Sequence, residues 1–577
     1  MLKALCPMAS RVKRQQNGKE KPKGYSVVDK VALIRLFIVV KIPLRIGMPV
    51  INQFYRWLQN YGPEWTVERL KNHKTLFLQH HAGNKGFRIE DKTISVHRDG
   101  TPKGPIKGLW NMGTSRVVVD KCLNALMMYS SVVIVGDPTR KQKQKFVSAV
   151  TAPRLAGDLP GWDVDEEMGI LLYSKCWRKS NYDKPSAWLN SSNKRVLHLD
   201  SIKGITKIIE STIPLDTHLA DFLLFANPLL MEHKVRQLVS HVFHNPLLFH
   251  YADTLLRLKT KHRIDEVLIE SCARDPIVGH IGIIQERGCK LRAVANPLRA
   301  IQIVLSRLKN TLELAAKSLP WDCTFNQEKG IEWSKKKLGA GQILYAFDLS
   351  NATDTIPLDD QIEFLRHVGP KRDWEFQAAL EFFYEVSRSR WVLPKSMLGN
   401  RGEKSILSHQ NFSHQQSGYL RWVKGQGLGI GCSFGAFAQT HGHRLRALEK
   451  YRGFTDSFVV LGDDVITTSD IAADYYDFVV NRWGCDISAA KTITSNNLSE
   501  FASRVVSRKY IYNTYKYPKS PNLFESDDPI GLLQKFSSKA LTLVPSRFRP
   551  TVQLIAGLPK PIGLGWRWPD SEYLLPN

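Results

Sequence analysis

Two adjacent aspartates, Asp463 and Asp464, stand in an otherwise mostly apolar octet, Val459-Val-Leu-Gly-Asp-Asp-Val-Ile466. Glycine accepts a positive φ and aspartate tolerates one, so Gly462-Asp463 is typical of a hairpin turn. The β-branched flanks predict two buried strands. Two carboxylates at a hairpin tip repel each other, and a divalent cation relieves that repulsion. Taken alone, the octet is equally compatible with an acidic surface hairpin.

A third carboxylate, Asp348, lies in the stretch Leu344-Tyr-Ala-Phe-Asp-Leu-Ser-Asn-Ala-Thr-Asp354. Its apolar residues predict a strand that ends at Asp348, and Pro357 predicts the first turn of a helix. A strand end is a common position for a metal-binding carboxylate, and Asp354 lies close to the start of the helix. Asp348 and Asp463 are distant in sequence, so only the fold can bring them together.

A third stretch, Ile281 to Ala295, contains residues suited to phosphate binding. Lys290 and Arg292 alternate with an apolar residue, so both project to one face of a predicted strand. Together with the nearby Arg287 they predict a clamp for phosphate groups. The alternative is a solvated strand face.

The segment Gly425-Gln-Gly-Leu-Gly-Ile-Gly-Cys-Ser-Phe-Gly435 is rich in glycine and leads into a helix that includes His441. Glycine at this density lets the backbone approach a ligand closely. The segment lacks the Lys-Ser/Thr ending of a P-loop, which argues against a nucleotide hydrolase. A flexible connector is the alternative. The basic run Arg140 to Lys145 is either a solvated helix face or a phosphate contact.

Composition narrows the class of protein. The 577 residues include 81 basic and 54 acidic side chains, a net charge of +27 that favours a polyanionic partner such as nucleic acid. Apolar residues make up 43% of the chain, as in a folded protein. No Cys-X-X-Cys pair occurs, which argues against a zinc ribbon. The apolar run Val31 to Val40 is interrupted by Arg35 and too short to span a bilayer, so no transmembrane segment is expected.

Together, these motifs resemble those of a known family. Asp348 to Asp354, Gly425 to Gly429 and Leu461 to Ile466 are similar to motifs A, B and C of viral RNA-dependent RNA polymerases. Lys491-Thr and Glu500-Phe-Ala-Ser-Arg504 resemble the mitoviruses in particular, within the narnavirus and levivirus-like group. The resemblance covers about residues 280 to 510.

The chain departs from the family pattern at several positions. Gly427 stands where the family usually has proline, and Thr355 where arginine is frequent. Cys432-Ser433-Phe434 replaces Ser-Ser-Trp, and His441-Gly442 replaces paired histidines. These departures fall on the loop expected to recognise the sugar, not on the metal carboxylates.

The resemblance implies an α+β fold, a right-hand polymerase with fingers, thumb and a palm whose antiparallel sheet carries helices on one face. It also implies the domain boundaries, which are 1–69 for a basic arm and helical extension, 70–340 for the fingers with the basic clamp, 341–369 for the first part of the palm, 370–424 for a fingers insertion, 425–504 for the second part of the palm and 505–577 for the thumb.

The resemblance implies nucleotidyl transfer by two Mg²⁺ ions roughly 3.5–4 Å apart, with Mn²⁺ able to substitute. Asp348 and Asp463 would hold the ions and Asp464 would support the site. One ion would activate the primer 3′-hydroxyl, and the other would neutralise the triphosphate. Lys491 would protonate the leaving pyrophosphate as a general acid.

The resemblance also implies how substrates bind. Glu286 would orient the clamp of Arg287, Lys290 and Arg292 on the incoming ribonucleoside triphosphate. Asp354 and Ser433, together with His441, would recognise the ribose, whose 2′-hydroxyl distinguishes RNA precursors. Gly429 would also bind the substrate. The partners would be RNA template and product, and the location would be the host mitochondrion.

Two other classes stay open. A reverse transcriptase has a palm with the same kind of metal-binding aspartates, but those enzymes usually contain Tyr-X-Asp-Asp at this position and prefer deoxynucleotides. A non-catalytic basic RNA-binding relic would explain the charge, but not the intact set of Asp348, Asp463, Asp464 and Lys491.

Overall fold

A computed structural model describes most of the chain. The described residues are 24–27, 30–84, 94–153, 161–162, 166–183, 226–245, 276–397, 418–488, 491–512 and 546–559, with a few isolated positions between and beyond these ranges. The basic arm predicted for the first residues and most of the predicted thumb lie outside them. Within the described parts, no helix combines the length and apolar character that crossing a membrane requires.

The helices of the described residues are α1 (Lys30–Val39), α2 (Leu44–His81), α3 (Lys107–Trp110), α4 (Arg116–Leu126), α5 (Arg140–Val150), α6 (Glu166–Lys179), α7 (His233–Phe243), α8 (Arg299–Ser318), α9 (Gln327–Gly339), α10 (Ala352–Thr355), α11 (Leu358–Val368), α12 (Trp374–Arg388), α13 (Ser433–Arg452), α14 (Ser469–Asp477) and α15 (Arg549–Gly557). The strands are β1 (Tyr25–Ser26), β2 (Val133–Ile134), β3 (Ile277–Glu286), β4 (Lys290–Pro297), β5 (Leu344–Asp348), β6 (Arg390–Val392), β7 (Tyr419–Leu420), β8 (Phe458–Leu461), β9 (Asp464–Thr468), β10 (Ile493–Ser495), β11 (Leu498–Phe501), β12 (Arg504–Ser507) and β13 (Ile511–Tyr512).

The central sheet has the strand order β10-β5-β9-β8 and is antiparallel throughout. Because side chains alternate along a strand, the sheet contributes to two cores. Leu344, Ala346 and Ile466 enter one core, whereas Phe347 and Val465 enter the other. Apolar residues on both sides therefore fix the register of the strands that carry the aspartates.

Helices α13 and α14 cover the face to which Phe347 and Val465 contribute, in agreement with the α+β fold predicted from the sequence. The opposite face packs on α9, on the sheet β11-β12-β13 and on part of α2. Both faces are thus closed to solvent. The accessible part of the sheet is the end where β5 stops and β8 turns into β9.

A second sheet, with the order β4-β3-β6-β7, contains the long β3–β4 hairpin. Its register runs from Gly279 opposite Pro297 to Glu286 opposite Lys290. The hairpin packs into a separate core with α6, α7, α8, α11 and α12. The basic residues predicted to bind phosphate therefore lie at the tip of a well-supported strand pair.

Candidate active site

The Asp-Asp octet forms the predicted hairpin. Leu461 pairs with Asp464, and Gly462-Asp463 is a two-residue loop between β8 and β9. Gly462 has a φ of +63°, a conformation that an L-residue adopts at a steric cost. The hairpin predicted from the sequence is confirmed, and it presents Asp463 to solvent.

The fold brings the third carboxylate to this hairpin. Strand β5 ends at Asp348, as predicted, and pairs with β9 so that Asp348 lies directly opposite Asp464. Opposed residues in an antiparallel pair have Cβ atoms about 4.5–5.5 Å apart. Two segments that are distant in the sequence therefore supply carboxylates to one end of the sheet.

The carboxylates at this end of the sheet lie close enough to one another to change the pKa of Asp464. Burial, followed by repulsion from Asp463, Glu500 and Asp348, raises the pKa of Asp464 to about 7, although a backbone hydrogen bond from Ala502 opposes the rise. Like charges that cannot separate favour the neutral form of one member. A cation bound among them would stabilise the ionised forms of all of them.

Lys491 partly supplies that positive charge. Its Nζ lies 2.8 Å from Oδ2 of Asp348, in a half-exposed ion pair. The backbone holds the two residues together, because Ser488 N–H donates to Asp348 O at 2.9 Å and Lys491 N–H donates to Ser488 O at 3.0 Å. The lysine predicted from the sequence thus lies next to the predicted metal ligand.

Lys74 is a basic residue at the site that sequence reasoning missed. Its Nζ lies 2.7 Å from Oε1 of Glu500, so α2 neutralises the fourth carboxylate of the cluster. Lys74 lies in a helix near the start of the chain, and no local motif marks it. Only the tertiary contact of α2 with the sheet β11-β12-β13 shows its place.

The donor set at this end of the sheet fits a hard divalent cation. Asp348, Asp463 and Asp464 provide only carboxylate oxygens, which suit Mg²⁺ and Mn²⁺ better than soft metals. Within the described residues, no group of three or more His, Cys, Asp or Glu side chains is already arranged to hold a metal ion. In this conformation Asp348 has Lys491 as its partner instead.

The tip of the β3–β4 hairpin carries the predicted clamp. Glu286 accepts from Nη2 of Arg292 at 3.4 Å, and its Oε1 lies 3.1 Å from Nε, so the two side chains form an ion pair at the turn. Lys290 is exposed and Arg287 is half-buried. The structure therefore places four of the predicted substrate-binding residues around one turn.

Segments near the start of the chain hold this turn in place. Gly288 N–H donates to Val132 O at 2.8 Å, and Nζ of Lys71 donates to Gly288 O at 3.1 Å. Gln142, on α5, donates to Cys289 O at 3.0 Å. The clamp is thus attached to α2, to α5 and to the segment before β2, none of which a local motif predicts.

The basic run on α5 ends beside the site. Burial, followed by repulsion from Lys491 and Lys290, lowers the pKa of Lys145, and attraction to Asp348 opposes this. Lys145 lies one turn beyond Gln142 on α5. Of the two readings left open from the sequence, this placement favours a phosphate contact for the end of the run.

Asp354 lies beside the glycine-rich segment. Trp422 Nε1 donates to its Oδ1 at 2.8 Å, and burial raises the pKa of the carboxyl to about 6 although this hydrogen bond lowers it. Gly425 N–H donates to Asp354 O at 3.0 Å. A Cβ on Gly425 would lie 2.3 Å from Thr353 O, so only glycine permits this approach.

The same segment reaches β4 and α8 through its other glycines. Gly429 has a φ of +117°, and its carbonyl accepts from Nε2 of Gln302 at 2.8 Å. Leu428 O accepts from Ala295 N–H at 2.6 Å. Gly427, a departure from the family pattern, lies so close to Ala295 that a Cβ would approach its side chain to 2.6 Å. The segment is therefore a packed loop, which does not match the alternative of a flexible connector.

Two predicted substrate-binding residues lie inside the protein. Ser433 is 1% exposed and His441 is fully buried. His441 bonds the carbonyl of Gly462 through Nδ1 at 2.8 Å and the hydroxyl of Tyr475 through Nε2 at 2.6 Å. Neither side chain is accessible to a nucleotide in this conformation, because α13 is buried on nearly all sides. The sequence expectation of direct ribose contacts by these two residues does not match this geometry.

The glycine after His441 also has a structural reason. A Cβ on Gly442 would lie 1.8 Å from the ring of Trp321, so the helix can pack against that ring only with glycine at this position. Glycine at position 442, where the family usually has a second histidine, therefore makes room for the side chain of Trp321.

Comparison with known proteins places the chain in a family. The profile described as Mitovirus RNA-dependent RNA polymerase matches residues 189–375 and 398–514. Since these ranges cover more than half of the sequence and include Asp348, Asp463 and Lys491, the chain belongs to the mitovirus RNA-dependent RNA polymerase family.

Two curated relatives are similar to parts of the chain. The RNA-directed RNA polymerase of Cryphonectria parasitica mitovirus 1 is 28% identical over 237 residues, which are 40% of this chain and 26% of that protein. An uncharacterized mitochondrial protein of Arabidopsis thaliana is 31% identical over 194 residues, 32% of this chain and 67% of that protein. The match thus spans about a quarter of the viral relative.

Two solved structures are also similar. One is an insertion-loop deletion mutant of the RNA-dependent RNA polymerase of a human picorbirnavirus, with 14% identity, a TM-score of 0.32 and coverage of 48% of this chain and 56% of that chain. The other is an RNA polymerase complex inside a dsRNA virus, with 10% identity, a TM-score of 0.43 and coverage of 91% and 48%.

Proposed function

We propose that this protein is an RNA-dependent RNA polymerase that replicates a viral positive-strand RNA genome. The observation that carries the proposal is the pairing of Asp348 with Asp464 at the end of a four-stranded antiparallel sheet, one residue from Asp463. Membership of the mitovirus polymerase family supports the same function. A relic that only binds RNA would have no need of this carboxylate cluster.

Asp348, Asp463 and Asp464 would hold the catalytic cations, for which we propose Mg²⁺ with Mn²⁺ as a substitute. When bound, these ions would lower the pKa of the primer 3′-hydroxyl and neutralise charge on the triphosphate. The side chains themselves provide fixed negative charge at the exposed end of a rigid sheet. The register between β5 and β9 keeps that charge in place.

The clamp on β3–β4 would bind the triphosphate of the incoming ribonucleotide. Arg292, oriented by Glu286, offers two parallel N–H donors, whereas Lys290 offers a mobile point charge. Asp354, at the end of motif A and hydrogen-bonded to the start of the motif B loop, would recognise the ribose. The net charge of +27 supports binding of template and product RNA, so we expect binding to weaken steeply with salt.

We further propose the predicted division into fingers (70–340 and 370–424), palm (341–369 and 425–504) and thumb (505–577), preceded by an extension (1–69). The central sheet with α13 and α14 supports the palm assignment. We also propose that the protein acts in the host mitochondrion. This proposal is supported by its family and by its similarity to a mitochondrial protein of Arabidopsis thaliana.

The test of the function is template-directed incorporation by the purified full-length protein with Mg²⁺. We expect ribonucleotides to be added only when an RNA template and the metal are both present. Preference for deoxynucleotides would indicate a reverse transcriptase instead. RNA binding without any incorporation, over a range of templates and primers, would contradict the polymerase and favour the binding-protein alternative.

Lys491 would act as the general acid for the leaving pyrophosphate, and its replacement predicts a specific kinetic defect. We expect Lys491→Leu to lower the single-turnover incorporation rate by about 10²–10³-fold. Lys491→Arg keeps the charge beside Asp348 but cannot release a proton at neutral pH, so it separates proton transfer from charge. Equal rates in the wild type and both variants would rule out the acid role.

Asp354 predicts a pH dependence of sugar selection. Its carboxyl, with a pKa of about 6, is ionised at pH 8 and neutral at pH 5, where the hydrogen bond that it would accept from the ribose hydroxyl loses its charge assistance. We expect the ratio of kcat/KM for GTP over dGTP to fall through pH 6 by about tenfold, the size of one charged hydrogen bond. Asp354→Asn should show the low ratio at every pH.

Trp422→Phe is the matched variant for this experiment. It removes the indole N–H that lowers the pKa of Asp354, so the fall in the ratio should move to a higher pH. A ratio that is the same at all pH values in the wild type, and unchanged in Asp354→Asn, would show that this carboxylate does not select the sugar.

A further inference from the structure

The hairpin turn that carries Asp463 has a buried hydrogen-bond partner. In a two-residue hairpin loop, the carbonyl of the first loop residue has no partner within the hairpin, so another group must satisfy it. Here that carbonyl belongs to Gly462, and Nδ1 of His441 lies 2.8 Å from it. Since a peptide unit is planar, fixing this carbonyl also fixes the amide and Cα direction of Asp463.

The surroundings of His441 determine which nitrogen carries the proton. A carbonyl oxygen only accepts, so the proton must be on Nδ1, and the unprotonated Nε2 then accepts from the hydroxyl of Tyr475 at 2.6 Å. Burial lowers the pKa of His441 to about 4, so the ring is neutral at physiological pH. Tyr475 is fully buried, and burial raises its pKa well above the usual value, so it keeps its proton.

The ring itself is held on several sides. The ring of Tyr475 stacks on it with an interplanar angle of 22° and a centroid separation of 5.7 Å, and Trp483 packs edge-on at 5.6 Å. Gly462 also contacts the ring of Phe434, because a Cβ on Gly462 would lie 2.9 Å from that ring. Two side chains of α13, His441 and Phe434, therefore contact the turn, and Tyr475 of α14 holds His441 in place.

We propose that His441 is a positioning residue for Asp463, acting through the carbonyl of Gly462, and that Tyr475 fixes its tautomer. This inference rests on the proposed function, since it assigns to the pair the task of orienting a metal-binding carboxylate. Partners of this kind, one step removed from the metal, typically contribute 10–100-fold to metal affinity or activity. No contact between His441 and the nucleotide is required.

The test compares metal binding and turnover in a set of full-length variants. We expect His441→Leu to weaken Mn²⁺ binding, measured by electron paramagnetic resonance, by about 10–100-fold and to lower kcat by a similar factor. KM for the nucleotide and the affinity for RNA should stay near the wild-type values. Tyr475→Phe, which loses only the hydroxyl, should show a smaller defect of the same kind.

His441→Asn is the rescue variant, because its amide nitrogen can donate from nearly the position of Nδ1. We expect it to recover most of the Mn²⁺ affinity that His441→Leu loses. His443→Leu is the matched control, since His443 is a buried histidine of the same helix that contacts Tyr173 and Trp321 instead of the turn. It should alter stability without altering Mn²⁺ binding.

Wild-type Mn²⁺ affinity in His441→Leu would overturn the inference. So would an equal loss in His443→Leu, which would show a general effect of disturbing α13. Because Mn²⁺ binding is measured without substrates, it distinguishes this inference from the proposed function: a wild type that binds Mn²⁺ but incorporates no nucleotide would contradict the polymerase alone.

Discussion

Asp463→Asn is expected to lower Mg²⁺-dependent incorporation by about 10³-fold or more while leaving the protein folded and able to bind RNA. The substitution keeps the shape of the side chain and removes one negative charge from the exposed loop of the β8–β9 hairpin. Electrostatic stabilisation at a reacting centre is typically worth this much, because the charge is fixed before reaction begins. The measurement is the initial rate of template-directed incorporation.

Asp470→Asn is the control for this prediction. Asp470 is an exposed aspartate in the first turn of α14, where it accepts from the hydroxyl of Thr468 at 2.8 Å. The two variants have the same chemistry and the same change in net charge. If Asp463→Asn incorporates at the rate of Asp470→Asn, the carboxylate of Asp463 has no role in catalysis and the metal assignment fails with it.

The sequence predicts the Gly462-Asp463 turn well because its determinants are local. Gly462-Asp463 between β-branched runs specifies a hairpin, and the apolar run before Asp348 specifies a strand that ends there. The pairing of Asp348 with Asp464 then follows from burial on both faces of the sheet, which allows one register. Spacing alone could not bring Asp348 to the hairpin, but the family resemblance implied that these carboxylates share one metal site.

The supporting residues could not be found in the same way. Lys71, Lys74 and Gln142 contact residues that are 147 to 426 positions away in the sequence, and no local motif marks these three residues. Lysines on a helix are usually solvated, so a lysine in a helical sequence does not by itself indicate a contact with the site. Their roles depend on how α2 and α5 pack against the β3–β4 hairpin, which is a tertiary property.

The burial of Ser433 and His441 has a related cause. The resemblance implied ribose contacts for both residues, but α13 is enclosed by other elements along most of its length. Its polar residues have partners on neighbouring helices instead: Tyr173 of α6 donates to Gln439 Oε1 at 2.5 Å, and Gln439 donates to Leu312 O of α8 at 2.5 Å. A helix surrounded on all sides has no polar face that periodicity could reveal.

The largest stability effect is expected at the ion pair of Arg444 and Asp360. Arg444 Nε donates to Asp360 Oδ2 at 3.1 Å and Nη2 to Oδ1, while Trp483 Nε1 donates to Oδ2 at 2.8 Å. The side chains are 5% and 0% exposed, and the guanidinium lies 3.5 Å above the ring of Trp162. The pair links α13 to α11 beneath the proposed palm.

We expect Arg444→Leu to lower the free energy of unfolding by about 3–5 kcal/mol, because it leaves the carboxylate of Asp360 buried without its cation. The double variant Arg444→Leu with Asp360→Leu should recover much of this loss, since it removes the buried charge as well. Recovery should stay incomplete, because Trp483 then has no acceptor, which costs about 1–3 kcal/mol. Denaturant unfolding followed by tryptophan fluorescence measures all three proteins.

Arg452→Leu shows whether the effect comes from burial rather than from losing an arginine. Arg452 lies on the same helix and contacts Asp474 through two hydrogen bonds of 2.6 Å, but its side chain is 49% exposed. Water replaces a lost partner at such a site, so the unfolding midpoint should hardly change. An Arg444→Leu protein as stable as Arg452→Leu would mean that water reaches Asp360, and the pair would then contribute specificity of packing rather than stability.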